Sequence, residues 1–97
     1  MDEAARQRAA ERRREAVCSP FMRISRFPVD VARELLDAGY YRMDQLAGRS
    51  PDSLLAEIKA RSKTPPPAHS LPALRMAVYF AESDSPDPKK LFLDQWQ

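Results

Sequence analysis

The chain has few of the residues that build loops around cofactors and metals. Two glycines in 97 residues exclude a long glycine-built phosphate cradle, which relies on backbone free of Cβ atoms. One cysteine, Cys18, excludes an intramolecular disulfide and a cysteine-based metal site within one chain. That usage fits a reducing compartment. One histidine, His69, leaves a histidine-bound metal short of partners. No apolar run approaches the roughly 20 residues of a membrane-crossing helix. The arginines near the start are not followed by a hydrophobic signal segment. The expectation is a soluble cytoplasmic protein with no membrane contact. The formal net charge of +2 does not by itself declare a nucleic-acid binder.

Proline is abundant. Nine prolines divide the chain into short elements, and the length suffices for one modest core. Residues 1–17 read as a charged, flexible or frayed helical arm, in which five arginines alternate with acids. Alanine, arginine and glutamate favour helix, but only Val17 and small alanines offer an anchor. The triplet Arg12–Arg14 reads as solvated, or else as a contact for phosphate or an acidic partner. Residues 18–97 read as the folded domain.

Within that domain, Ser19 and Pro20 suit a capped first turn, followed by the apolar side chains Phe21, Met22, Ile24 and Phe27. Pro28 opens a helix over about 28–38, where Val31 with Leu35 and Ala32 with Leu36 share faces. Arg33 and Asp37 are spaced to pair on its outer side. Gly39 stops the helix, and one of Tyr40 and Tyr41 is expected to fold over the apolar seam. A short turn over 43–47 points Leu46 inward and ends at Gly48. Ser50-Pro51-Asp52 starts a helix over about 51–61 whose inward face is Leu54, Leu55 and Ile58. Arg61 and Lys63 sit near its negative end. Pro65-Pro66-Pro67 is a stiff connector. The most apolar element, about 70–82, carries Leu71, Leu74, Val78 and Ala81 at helical spacing and is expected to be the central helix. In the tail, Leu91, Phe92, Leu93 and Trp96 predict a segment that wraps back on the domain or binds a partner.

Several of these stretches resemble a known family. Ala77-Val78-Tyr79-Phe80-Ala81-Glu82, then Pro86-Asp87-Pro88 and Trp96, resemble the end of the small bacterial pathogenicity-locus proteins, some labelled mitomycin-resistance proteins, of helix-hairpin-helix type. Leu35-Leu36-Asp37-Ala38-Gly39-Tyr40 and the run from Met43 to Pro51 resemble that family's second hairpin helix, turn and following helix. Arg75 falls where the family usually has an arginine. The resemblance spans about residues 18–97. It implies an all-α, compact helix-hairpin-helix (SAM-like) domain of about four to five short helices with a wrapping tail.

The resemblance also implies sequence-independent binding to double-stranded DNA. Family hairpins place glycines where backbone N–H groups approach a phosphate. Here the hairpin is Ile24-Ser25-Arg26-Phe27-Pro28, with Arg26 and Pro28 in the glycine places. A side-chain grip by Arg23 and Arg26, aided by Arg33, is the expected substitute. The alternative is a module contacting another protein or itself through Leu91, Phe92 and Trp96.

Catalysis is not expected, and no cofactor or metal is assigned. His69 has three open readings: cap, hydrogen-bond donor or solvent-facing side chain. Cys18 is expected to be buried beside Val17 and Phe21 rather than paired with His69. Asp30, Glu34 and Asp37 lie along one helical side and read as a solvated acidic face.

Overall fold

The computed structural model describes residues 3–61 and 65–97; the expectation for Lys63 lies outside them. Among the described residues there are four α-helices, α1 (Glu3–Val17), α2 (Val29–Asp37), α3 (Pro51–Arg61) and α4 (Ser70–Glu82). Short 3₁₀ turns occur at Pro20–Arg23, Met43–Leu46, Pro88–Lys90 and Leu93–Trp96. Among the described residues there is no strand. The protein is all-α, and among the described residues no helix is long and apolar enough to cross a membrane.

Proline and glycine set the boundaries. Pro28 caps α2 in an extended conformation. At the other end, Gly39 has φ of +96°, and its N–H donates to Leu36 O while the Tyr40 N–H donates to Leu35 O. This paired closure of a helix end uses a left-handed residue, which glycine adopts without a Cβ penalty. It turns Tyr40 into the core, and the Tyr40 hydroxyl donates to Glu57 of α3. Tyr41 faces outward, 63% exposed. The Gln45 side chain then accepts from the Tyr41 and Arg42 N–H groups, at 2.7 and 2.8 Å, fixing the next turn.

Helix α4 is the centre of the core. Ala73, Leu74, Met76, Ala77 and Val78 are buried, and around them lie Phe21, Ile24, Phe27, Val31, Leu35, Leu46 and Leu54. Burying so many large apolar side chains is the main force for folding. Ser19 does not cap the first turn as expected; its hydroxyl donates back to Ala16 O at 2.7 Å.

Residues 3–17, expected as an arm with little to hold it, form α1, which packs along α2. Its anchor is Ala16, fully buried, rather than Val17, which is 47% exposed. The Arg12 guanidinium bonds the Asp37 carboxylate. Asp37 is thus tied to α1 and not to Arg33.

The tail returns to the domain. Trp96 stacks obliquely on Tyr79 of α4, with ring centroids 5.3 Å apart. Arg75 donates to the Trp96 carbonyl at 2.9 Å, and the Trp96 indole N–H donates to Lys90 O at 2.6 Å. Leu91, Leu93 and Trp96 pack on the core, whereas Phe92 stays 45% exposed.

Candidate nucleic-acid interface

The segment between the Pro20–Arg23 turn and α2 is closed by one hydrogen bond, from the Phe27 N–H to Ile24 O at 3.1 Å. Such a four-residue reversal can take a left-handed residue at its third position. Arg26 occupies it, with φ of +63°, the only non-glycine residue with positive φ among those described. A left-handed L-residue other than glycine costs about 1–2 kcal/mol. The buried side chains of Ile24 and Phe27 on either side of the turn hold the backbone in that shape.

The turn leaves both arginines on the outside. The Arg23 guanidinium lies over the Phe80 ring of α4, 5.7 Å from its centroid, and Arg26 lies over Phe92 of the tail at 5.8 Å. Among the described residues neither guanidinium is paired with a carboxylate. A ring meets the face of a guanidinium and leaves its in-plane N–H groups free to donate. Asp44 and Asp84 line the same shallow depression as Arg23. Asp44 is engaged by Arg42 at 3.0 Å.

The start of α2 is different. There a phosphate would meet the Asp30 carboxylate, which accepts from the Val31 N–H at 2.9 Å. Asp30 also meets His69, whose Nε2 lies 2.9 and 3.1 Å from its two oxygens. The helix start, a natural anion site, is therefore filled by an anion of the chain itself.

His69 thus joins the start of α4 to α2, one of its three open readings. Next to it, the fully buried Ser70 hydroxyl points toward Glu34 at 3.5 Å. Burial, with the neighbouring Asp30 charge adding to it, raises the Glu34 pKa above the ordinary glutamate value. The expected acidic face is in fact divided: Asp30 faces His69, Glu34 faces Ser70, and Asp37 faces Arg12. Spacing along α2 did not reveal these partners, because each lies on another element. Arg33 is exposed beside Glu34, and no contact among the described residues brings it to Arg23 or Arg26.

Cys18 corrects another expectation. It is exposed, in a notch with Glu15, Ser19, Leu36, Asp37 and Tyr41. It follows the last turn of α1, its N–H donating to Arg14 O at 3.0 Å, and the α1–α2 packing that buries Ala16 leaves its side chain outside. No described contact joins it to His69. Among the described residues, no group of three or more histidine, cysteine or acidic side chains is placed to hold a metal.

No family model, curated protein or solved structure matches the chain. The pathogenicity-locus expectation is corrected accordingly: nothing assigns the chain to that family, and neither DNA binding nor protein interaction comes to it from a relative.

Proposed function

We propose that the protein is a non-catalytic module that holds the phosphodiester backbone of double-stranded DNA weakly and without reading sequence. In this reading the Pro20–Arg23 turn and α2 act as the two arms of a degenerate helix-hairpin-helix. Its grip has moved from backbone N–H groups to side chains. Arg23 and Arg26 supply the contacts, with Arg33 as an outlying contributor.

One observation carries the reading. Arg26 keeps a left-handed backbone that glycine would adopt freely, and it presents with Arg23 two exposed guanidinium groups that no acid among the described residues pairs with. Guanidinium N–H groups match phosphate oxygens in geometry and charge. Asp30 at the start of α2 argues against the backbone grip and in favour of the side-chain grip.

The test is the affinity for a short labelled duplex, measured by anisotropy across a salt series. Binding is expected at low salt and is expected to fall steeply as salt rises, because each phosphate contact releases condensed counterions. Substituting Arg23 and Arg26 together by alanine is expected to remove about two units from the slope of log affinity against log salt. A folded protein that binds no duplex at low salt would overturn the reading.

A further inference from the structure

We infer that the C-terminal tail is a working part of the proposed DNA-binding edge, with Phe92 as the positioning residue for Arg26. The inference rests on the reading above and adds to it a residue more than sixty positions away in the chain.

Phe92 is held in place by its neighbours in the tail. The tail is anchored by Arg75 on the Trp96 carbonyl, by the Trp96 indole on Lys90 O and by the Tyr79–Trp96 ring contact. None of these involves Arg26. The turn at Asp87 is fixed separately, where its carboxylate accepts from the Lys89 N–H at 3.0 Å. The backbone on both sides of Phe92 is therefore held without help from Arg26. Phe92 is nevertheless 45% exposed, so its own burial gives little reason for its place. Its ring lies beneath the Arg26 guanidinium carbon, which stands 5.8 Å from the ring centroid.

An exposed arginine side chain samples many rotamers, and fixing it for a ligand costs entropy. A ring beneath the guanidinium removes part of that freedom before the ligand arrives. Guanidinium N–H groups directed away from the ring stay open to a phosphate oxygen. Phe80 beneath Arg23 repeats the arrangement on α4 itself. The tail thus lends the hairpin a platform that the hairpin lacks. By linkage, duplex binding and tail docking then favour each other.

The test uses the full chain with Phe92→Leu, which keeps apolar bulk but removes the ring, and Phe92→Tyr, which keeps the ring. The Arg26 Nε–Hε resonance is expected to carry a ring-current shift in the wild type and in Phe92→Tyr, and to lose it in Phe92→Leu. Unchanged Trp96 emission in Phe92→Leu would show that the tail remains docked. Duplex affinity is expected to fall about two- to fivefold in Phe92→Leu, the range of an exposed cation–ring contact, and to return in Phe92→Tyr. Wild-type affinity in Phe92→Leu, in a protein whose Arg26→Ala variant binds less well, would overturn the inference and leave the DNA reading standing. Persistence of the Arg26 shift without the ring would overturn it too. Failure of the wild type to bind any duplex at low salt would remove both.

Discussion

The imidazole of His69 sits 2.9 and 3.1 Å from the two carboxylate oxygens of Asp30, although 39 positions separate them in the chain. The contact links the start of α4 to the start of α2. Both side chains are about two-fifths exposed, so solvent screens the pair and its contribution is small. Asp30→Asn is expected to lower stability by at most about 1 kcal/mol in urea unfolding. The same change removes the one acid at the helix start, where a phosphate of the ligand would be repelled. Duplex affinity is therefore expected to rise in the variant. A fall would place Asp30 among the contacts instead of against them.

Glu34 gives a dependence on pH. Its pKa is higher in the folded protein than the ordinary glutamate value, because burial disfavours the charged form. Between the two values the folded state binds more protons than the unfolded chain. Stability must then fall as pH rises through that window. Below the ordinary value both states are protonated, and the effect vanishes. Glu34→Gln, which keeps an oxygen for Ser70, is expected to flatten this slope and to raise stability above the window. Unfolding midpoints measured across mildly acidic pH would show it, and identical pH profiles for the two proteins would refute it.

Arg26→Gly separates folding from binding. Glycine relieves a left-handed backbone worth roughly 1–2 kcal/mol and forfeits a cation–ring contact of about 0.5–1 kcal/mol. Stability is expected to stay level or rise slightly in urea unfolding. Duplex affinity is expected to fall, with the salt slope losing about one unit. Marked destabilisation would mean that the arginine side chain, rather than the neighbouring core residues, holds the turn.

Leu74 tests the centre of the core. It is fully buried on α4, and Leu74→Ala leaves a void that surrounding helices fill only in part. A loss of roughly 2–5 kcal/mol is expected in chemical unfolding. A loss under about 1 kcal/mol would move the centre of the core away from α4.

The helices were legible because their ends are written in local chemistry. A proline such as Pro51 or Pro28 is favoured at or just before a helix start, and Gly39 readily ends one. The apolar spacing of 70–82 likewise needs no partner to be recognised. The packing of α1 was not legible, since alanines give no periodic apolar stripe, and the features that mark its docking, the buried Ala16 and the ion pair from Arg12 to Asp37, show no pattern in sequence. Cys18 misled for a related reason: apolar neighbours in sequence do not say which side of a helix end meets the core. At the candidate site, Arg23 and Arg26 were readable as neighbouring cations in the sequence. Their rings were not, because Phe80 and Phe92 arrive from later elements. Asp30 looked like one member of an acidic row, and only the distant His69 shows its separate role.

Trp96 is the sole tryptophan, and it stands in the tail against Tyr79 and Arg75. Its emission therefore watches one small region while circular dichroism watches the helices. Should the last segment detach before the remainder melts, the two optical signals would report different midpoints. A fluorescence melt taken alone would then underrate the durability of the four helices, and would misassign to the whole protein an event confined to its final residues.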